Sequence, residues 1–588
     1  MIALAGLVAS APIAATEAQP IRRPMPPVHD GEPTPAACAA LGFRQDPDQD
    51  AARGRFAGMT ASRQAARPSV GLPPPPPPPP RPALAAPTQE VVVTASKRMA
   101  PSAYPYGPPP GAIDTERYPD AVANPVKRVA EEPVSTFSID VDTAAYSNVR
   151  RFLNDGRKPP SDAVRVEELV NYFDYGYPLP ASRAEPFRPY VAVTPSPWSD
   201  ERQIIHIGLQ GYELPASDQP PLNLVFLVDT SGSMWSEDRL PLAQKALGLL
   251  IDRLRPQDRV SLVAYAGSAG AVLGPTGGRE KLKLRCAVNA LRSGGSTAGG
   301  EGLALAYALA QQNFDRRAVN RVLLLTDGDF NVGIADPERL KDFVADKRKT
   351  GVYLSVYGFG RGNYQDVMMQ ALAQNGNGIA AYIDTLSEAR KLLRDEVAAS
   401  MFPIADDVKI QVEFNPARVS EYRLIGYETR LLNREDFNND KVDAGEVGSG
   451  ASVTALYEIT PVGARPSSDP LRYGRRPAAA APTGELAYLK VRYKLPGQPA
   501  SRLMERAITP RDAYASAQAA PEPTRWALAV AGFGQKLRGD PWVADSFGWS
   551  RIGELAQGAR GDDPYGMRAE FVQLVRGAGE ARSVNDRS

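Results

Sequence analysis

The sequence has few of the residues that most often carry enzyme chemistry, with two histidines and two cysteines among 588 residues. It contains no H-E-x-x-H motif, no G-x-S-x-G motif and no paired Cys and His, so hydrolase chemistry has no carrier. His206 lies in the alternating stretch "RQIIHIGLQ", which is typical of a strand. We interpret it as a strand residue and expect a protein that is not an enzyme.

Net charge is almost absent, because 68 Lys and Arg stand against 67 Asp and Glu, a formal balance of +1. This balance gives no electrostatic reason to expect nucleic acid or an acidic membrane surface as a partner. No apolar run approaches the ~18 residues that a membrane-spanning helix requires. We therefore expect no nucleic-acid partner and no transmembrane span.

The two cysteines, Cys38 and Cys286, give little reason to expect a disulfide. Cys38 lies in a low-complexity segment, where nothing in the sequence predicts a fixed position. Cys286 lies in a helix-like run over residues 280–291, and the usual role of such a cysteine is that of a small buried hydrophobe. We expect no bond between them.

Proline, in contrast, is abundant, and many of the 56 prolines crowd into the first part of the chain. Residues 1–20 are similar to the apolar and small-residue part of a secretory signal, although the first basic residue is Arg22. Either the signal starts upstream, or this is a disordered Ala-rich lead; we favour export to the periplasm or cell envelope. Residues 21–130 are expected to be a disordered Pro-rich tail, with a stiff polyproline spacer at 73–80.

One segment of that tail, "QEVVVTASKR" at residues 89–98, has two interpretations. It resembles the segment that opens many TonB-dependent outer-membrane receptors. Equally, it is a chance β-prone hexamer in a linker. Nothing downstream resembles a transmembrane barrel.

From residue 222 onward, short apolar runs alternate with helical patterns, which favours a doubly wound, mostly parallel sheet with helices on both faces. The predicted strands are 222–228, 260–264, 322–325, 352–356 and 381–383. The predicted helices are 240–254, 302–311, 337–349 and 364–373.

Alternating strand patterns flank this α/β unit on both sides, so we predict that it is inserted in, or flanked by, an antiparallel β-sandwich. The predicted parts are a module with the first sandwich strands (131–220), the α/β domain (221–400), further sandwich strands (401–500) and a C-terminal helical part (501–588).

A set of oxygen-bearing side chains follows the predicted parallel strands. In "NLVFLVDTSGSM" a buried strand ends at Asp229, with Ser231 and Ser233 completing D-x-S-x-S. Thr297 lies in the glycine-rich loop "SGGSTAGG", and Asp327 ends the later strand "RVLLLTDGD". Ligands of doubly wound sheets lie beyond the carboxyl ends of the strands, where strand order reverses. Hard oxygen ligands there favour Mg²⁺, with Mn²⁺ or Ca²⁺ as other candidates.

These residues resemble the metal-ion-dependent adhesion site (MIDAS) of the von Willebrand factor type A (VWA) domain. Further stretches are similar to a bacterial exported VWA family with an N-terminal VWA-associated module and a C-terminal domain of unknown function: "TFSIDVDTAAYSNVRRFLNDG", "TDGDFNVG" and "GDDPYGMRAEFVQLVR". The resemblance implies that Ser231, Ser233 and Thr297 contact the metal through hydroxyls. It also implies that Asp229 and Asp327 bind it directly or through water, and that a partner's carboxylate or a water fills the sixth position.

Two other motifs are weaker candidates for sites. "GFGRGN" at residues 358–363 lacks the G-K-[ST] ending of a phosphate loop and is interpreted as a strand-to-helix turn. "DFNNDKVDAGEV" at 436–447 begins like a calcium loop, but Lys441 and Val447 replace its glycine and glutamate. A polar hairpin between sandwich strands is the better interpretation.

The favoured function is metal-dependent binding of an unidentified, acidic protein ligand in the cell envelope, as an adhesion or assembly module. The alternative is an accessory subunit of a metal- or ATPase-dependent enzyme complex, against which the chain lacks an ATP-binding motif. A third possibility, an ion-channel component, is disfavoured by the absence of a membrane span.

Overall fold

The computed structural model describes residues 33–43, 116–118, 122–139, 142–297, 299–328, 337–361, 365–467 and 484–582. The signal-like segment, the polyproline spacer and "QEVVVTASKR" lie outside the described residues. Within the described part of the chain, no helix combines the length and the apolar character needed to cross a membrane.

The described residues form sixteen strands and thirteen α-helices, joined by short 3₁₀ and π turns. The strands are β1 (Lys127–Arg128), β2 (Val134–Ser138), β3 (Phe187–Pro195), β4 (Gln203–Gly211), β5 (Leu222–Asp229), β6 (Arg259–Tyr265), β7 (Ala269–Gly277), β8 (Val319–Thr326), β9 (Val352–Phe359), β10 (Ala380–Ile383), β11 (Pro403–Phe414), β12 (Val419–Ile425), β13 (Gly445–Gly448), β14 (Ser452–Pro461), β15 (Ala487–Lys494) and β16 (Ser501–Ile508). The helices are α1 (Pro35–Ala40), α2 (Ala144–Asn154), α3 (Val166–Asn171), α4 (Leu240–Arg253), α5 (Lys281–Asn289), α6 (Gly299–Gln312), α7 (Pro337–Lys349), α8 (Asp366–Asn375), α9 (Leu386–Arg390), α10 (Val397–Met401), α11 (Glu522–Arg538), α12 (Trp549–Gly558) and α13 (Met567–Glu580).

The α/β unit is built on a six-stranded sheet in the order β10-β9-β8-β5-β6-β7. All neighbouring strands are parallel except β7, which pairs antiparallel with β6 at the edge. The predicted doubly wound, mostly parallel sheet is confirmed. The prediction missed β7, because its glycines and proline, "AGAVLGPTG", obscure the strand pattern.

Alternate residues of the central strand β5 belong to two different hydrophobic clusters. Leu224 and Phe226 pack with residues of α4 and α5. Val225 and Leu227 pack with residues of α6, α7 and α8. Because successive side chains of a strand point to opposite faces, this division shows helices on both faces of the sheet. A strand buried on both sides must be apolar throughout, which explains its continuous hydrophobic run.

The flanking strands form two antiparallel sheets, in the orders β1-β12-β14-β4-β3 and β13-β11-β15-β16, with β2 on β11. Rings from the two sheets meet in a common core. Phe414 stacks on Tyr422 at 4.1 Å between centroids, and Phe187 meets the edge of Tyr493 at 5.3 Å. The α/β unit lies in the chain between β4 and β11, which belong to the two sheets of the sandwich. The predicted insertion of the α/β unit into a sandwich is therefore observed.

The C-terminal helices pack against the N-terminal helices α2 and α3 in a second aromatic core. Phe173 contacts Trp526 and Phe571, with ring centroids 5.1 and 5.5 Å apart. We predicted that the C-terminal helical part begins at residue 501. This prediction is wrong for residues 501–508, which form a strand. They form β16, paired with β15, and the polar and charged side chains of this edge strand masked its pattern.

The last residues of the predicted disordered tail are ordered, which corrects the boundary at residue 130. β1 pairs antiparallel with β12, and the amide of Asn124 donates to the carbonyls of Leu424 and Gly426. Upstream, Glu116 forms an ion pair of 2.7 Å with Arg151 of α2. These contacts are made with segments that are distant in the chain, so no local sequence pattern predicts them.

The structure also overturns the expectation that the two cysteines are unpaired, because Cys38 and Cys286 form a disulfide across 248 residues. Cys38 lies in α1, which begins after Thr34, whose hydroxyl accepts the backbone N–H of Ala37. A capped, Ala-rich turn is helical despite its low complexity. It docks on α5, and both cysteines are fully buried.

We predict that Cys286→Ala lowers the free energy of unfolding by about 2–4 kcal/mol, because the cross-link restricts the unfolded chain. Cys38→Ala is expected to give the same loss, and the double variant no more than either alone. Urea unfolding of the oxidised proteins measures all three. A thiol assay on the denatured, unreduced wild type that finds two reactive cysteines would contradict the bond.

A buried arginine joins three parts of the chain. Arg150 of α2 pairs with Asp384 after β10, with Glu388 of α9 at 2.7 Å and with Glu570 of α13 at 3.2 Å. Its side chain is 1% exposed, and the hydroxyl of Tyr172 also donates to Glu388. Burial raises the pKa of Asp384, with Arg150 opposing that rise. The N-terminal module, the α/β unit and the C-terminal helices therefore share one buried charge cluster.

We predict that Arg150→Leu lowers the free energy of unfolding by about 3–5 kcal/mol, because it leaves carboxylates buried without their cation. Arg317→Leu is the matched control. Arg317 pairs with Asp315 but is 88% exposed, so its loss is expected to change stability by less than about 1 kcal/mol. Equal urea midpoints for the two variants would show that the cluster contributes nothing to stability.

Candidate metal centre

The predicted metal-binding residues follow the point where strand order reverses in the parallel sheet. From the central strand β5, the chain builds β6 and β7 on one side and then β8, β9 and β10 on the other. β5 ends at Asp229, and its neighbour β8 ends at Thr326, one residue before Asp327. Both carboxylates therefore lie at the same edge, where doubly wound sheets bind ligands.

The carboxylate of Asp229 is fully buried and accepts three hydrogen bonds. The backbone N–H of Ser231 donates to Oδ1 at 2.8 Å, whereas the hydroxyls of Tyr265 and Thr326 donate to Oδ2, each at 3.2 Å. Burial raises the pKa of Asp229 to about 6; the bonds from Ser231 and Thr326 oppose the rise, and the charge of Asp327 adds to it. The site thus holds two close carboxylates away from water.

The two predicted serine ligands lie in a tight turn after β5. Ser231 Oγ and Ser233 Oγ are 3.0 Å apart, so the two hydroxyls face one point. A 3₁₀ turn, Gly232–Trp235, begins between them, and Ser231 is buried. The short spacing of D-x-S-x-S places these side chains together because the chain reverses immediately at the strand end.

The loop that carries Thr297 is fixed to this turn by backbone hydrogen bonds. The N–H of Gly232 donates to the carbonyl of Gly295 at 2.9 Å, and the N–H of Gly294 donates to that of Thr230 at 2.8 Å. Gly295 has a φ of +86°, which a residue with a side chain adopts only under strain. Thr297, two residues further on, is half-buried, and the loop is joined to the serine turn through Gly294 and Gly295 and not through Thr297.

Arg239 is a residue of this site that the sequence analysis missed. Its guanidinium donates to Asp327 Oδ2 at 2.8 Å and to the carbonyl of Ser233 at 2.7 Å. It also donates to the carbonyl of Arg361 at 2.6 Å. Arg239 immediately precedes α4, and no spacing rule connects it to Asp327. Its side chain is 15% exposed, so a nearly buried positive charge adjoins the predicted ligands.

The glycine-rich turn "GFGRGN" is explained by the same arginine. A Cβ added at Gly360 would lie 2.2 Å from Nε of Arg239, and Gly360 has a φ of +78°. A glycine is therefore required where β9 ends. Gly360 therefore makes room for Arg239, whereas residues 362 and 363 of the motif lie outside the described residues.

Two more missed residues, Tyr265 and Thr326, hold Asp229 in place. Both occupy the last positions of strands that neighbour β5. The signal for Thr326 was available, because it is the first letter of "TDGD". Tyr265 could be found only from the pairing of β5 with β6, which places it opposite Asp229.

The donor set fits a hard divalent cation. It offers two buried carboxylates and hydroxyls, all oxygen, which are the ligands that Mg²⁺, Mn²⁺ and Ca²⁺ prefer. Burial raises the pKa of Asp229, and the charge of Asp327 adds to that rise; a bound cation would lower it. In the described part of the chain, this site included, no group of three or more His, Cys, Asp or Glu side chains is placed to hold a metal, so the candidate site depends on its hydroxyls as well as on its two carboxylates.

The other sequence motifs prove to be structural. His206 lies in β4 as predicted, fully buried, with its ring nitrogens 2.7 Å from the hydroxyl of Tyr177 and 3.0 Å from that of Thr524. Burial lowers its pKa to about 3. The prediction of a polar hairpin at 436–447 is wrong, because this segment crosses between the two sheets: it follows β12 of one sheet and leads into β13, which pairs with β11 in the other.

Comparison with known families agrees with this architecture. The family described as "von Willebrand factor" matches residues 112–206, "von Willebrand factor type A domain" matches 223–395, and "Uncharacterized protein YfbK, C-terminal" matches 399–580. The chain is 46% identical over 469 residues to the uncharacterized protein YfbK of Escherichia coli (strain K12), covering 78% of this chain and 80% of that protein. The chain belongs to the YfbK family. The predicted VWA family with flanking modules is thereby confirmed.

More distant relatives cover smaller parts of the chain. The uncharacterized protein sll0103 of Synechocystis is 36% identical over 174 residues, which is 30% of this YfbK-family chain and 40% of that protein. A solved structure, "von Willebrand factor type A from Catenulispora acidiphila", is 17% identical with a TM-score of 0.39, covering 69% of this chain and 91% of that one.

We predict that Arg239→Gln tightens Mg²⁺ binding about tenfold, because it removes a positive charge that repels the ion and competes for Asp327. Isothermal titration calorimetry of the full chain measures the affinity. Arg239→Lys keeps the charge and is expected to stay within about twofold of wild type. Weaker binding by Arg239→Gln would instead show that the guanidinium orients Asp327 for the metal.

Proposed function

We propose that this protein is a metal-dependent binding module of the cell envelope, which grips a carboxylate of a partner protein through a divalent cation at the MIDAS. VWA domains generally mediate interactions between proteins, and the chain contains one over residues 223–395. The observation that carries the proposal is the meeting of Asp229, Ser231, Ser233 and Asp327 at the ends of neighbouring parallel strands.

In this proposal, Ser231, Ser233 and Thr297 would hold the cation through hydroxyls. Asp229 and Asp327 would bind it directly or through water. The bound Mg²⁺, Mn²⁺ or Ca²⁺ would supply an open coordination position for an oxygen of the partner.

The charge of the site supports a carboxylate as the partner's group. Two carboxylates neutralise a divalent ion, but Arg239 also pairs with Asp327 at 2.8 Å. The loaded site would therefore keep a net positive charge close to the surface. An acidic side chain of the partner would be attracted to that charge and bound directionally.

The positions of the other side chains that often act in catalysis favour a binding protein over an enzyme. In the described part of the chain, the one histidine is buried in the sandwich and both cysteines are in the disulfide. Among the described residues, Asp229 accepts from Ser231, Tyr265 and Thr326, and Asp327 accepts from Arg239; these contacts hold the carboxylates in place. These observations support an interaction protein and give the accessory-enzyme alternative no support of its own.

The Cys38–Cys286 disulfide supports export, because such bonds form and persist in oxidising compartments. Periplasm and cell envelope are such environments, whereas the cytoplasm keeps most thiols reduced. Localisation by fractionation, with the disulfide state measured in each fraction, tests this part separately.

We predict that Asp229→Asn weakens Mg²⁺ affinity by roughly a hundredfold or more, since losses of 10–100-fold follow removal of even outer ligands of a metal. It should also abolish capture of the partner from a cell-envelope extract. Calorimetry measures the first effect, and pull-down with the full chain in Mg²⁺ and in EDTA measures the second.

Asp315→Asn is the matched control, because Asp315 lies in the same α/β unit but is exposed and pairs with Arg317. It should bind metal and partner like wild type. Circular dichroism checks that both variants fold. A partner retained by Asp229→Asn, or in EDTA, would mean that the interaction does not use the metal.

A further inference from the structure

Trp235 is unusually exposed for a tryptophan, and it lies beside the candidate metal centre. Its side chain is 71% exposed, whereas the other four tryptophans are buried or half-buried. An indole carries a large apolar surface, which is unfavourable in water and is a frequent anchor of protein interfaces. Trp235 follows Ser233 by two residues, so their Cα atoms lie within ~7 Å of each other.

The backbone that presents Trp235 is held on both sides. The buried side chain of Met234 anchors the 3₁₀ turn, and its N–H donates to the carbonyl of Ser231 at 3.1 Å. The carbonyl of Ser233 accepts from Arg239 at 2.7 Å. The indole is therefore carried by an ordered turn, which lowers the entropy lost when a partner packs on it.

The surface next to Trp235 is open and lined by small residues. Residues three apart lie on the same side of a 3₁₀ turn, so Trp235 lies on the side of Gly232. Gly232 is hydrogen-bonded to Gly295 of the loop that carries Thr297, and residues 294–296 of that loop are exposed. These exposed loop residues border the side of the turn on which Trp235 lies.

We propose that Trp235 is a specificity-determining residue that selects partners with an apolar side chain one or two positions from the acidic residue. This inference rests on the proposed function, because the metal centre would fix the carboxylate. The spacing of Ser233 and Trp235 equals one or two residues of an extended peptide, at ~3.3 Å each. Glu237, exposed two residues beyond Trp235, disfavours a second carboxylate at that place.

The test uses the full chain and two fluorescein-labelled seven-residue peptides, one with Asp between two leucines and one with Asp between two serines. Fluorescence polarisation in Mg²⁺ and in EDTA gives the affinities for wild type, Trp235→Ser and Trp235→Phe. Wild type should bind the leucine peptide about tenfold tighter than the serine peptide, and only in Mg²⁺. This preference should vanish in Trp235→Ser and persist in Trp235→Phe.

Metal binding is measured independently by electron paramagnetic resonance titration with Mn²⁺, and should be the same in all three proteins. Equal, Mg²⁺-dependent binding of both peptides would overturn the role of Trp235 and leave the proposed function standing. No Mg²⁺-dependent binding of either peptide would overturn both. Self-association of wild type that Trp235→Ser abolishes, measured by sedimentation, would identify a second copy as the occupant and also overturn the inference.

Discussion

Burial of Asp229 at the end of the central strand is the constraint on which the rest of the α/β unit depends. A carboxylate with no exposed surface is unfavourable unless neighbouring groups compensate it. The hydroxyls of Tyr265 and Thr326 and the backbone of Ser231 do so in part, and each comes from a different element. Burial still raises the pKa of Asp229 to about 6 in spite of these bonds. In the proposed function, a bound cation would lower that pKa again.

The α/β unit, which carries this candidate site, is connected to the other parts of the protein in several places. Its first strand follows β4 of the sandwich, and its last helices lead directly into β11. Arg150 fixes its end to helices from both the N-terminal module and the C-terminal region. A second arginine of the module, Arg165, pairs with Asp366 at the start of α8 at 2.6 Å. The α/β unit that carries the candidate site is thus held by segments from both the N-terminal module and the C-terminal region.

The sequence was sufficient for the parallel strands and for the positions of Asp229 and Asp327 at the ends of two of them, because both depend on local patterns. A continuous apolar run predicts a strand buried on both faces, and the end of such a strand predicts the position of Asp229. What escaped prediction depends on contacts between distant segments. Arg239 meets Asp327 across 88 residues, and Cys38 meets Cys286 across 248. The strands β1, β7 and β16 were missed because they are short, glycine-containing or polar edge strands.

The disulfide changes the covalent topology of the chain. Residues 38 to 286 form a closed ring, and this ring includes the polyproline run, the N-terminal module and the first half of the α/β unit. A protease that cuts once within the ring leaves both pieces covalently joined. An oxidised protein nicked in its proline-rich region would therefore stay in one covalent piece, joined to the α/β unit, until a reductant opens the bond. The proline-rich region is therefore covalently attached to the rest of the protein at both of its ends.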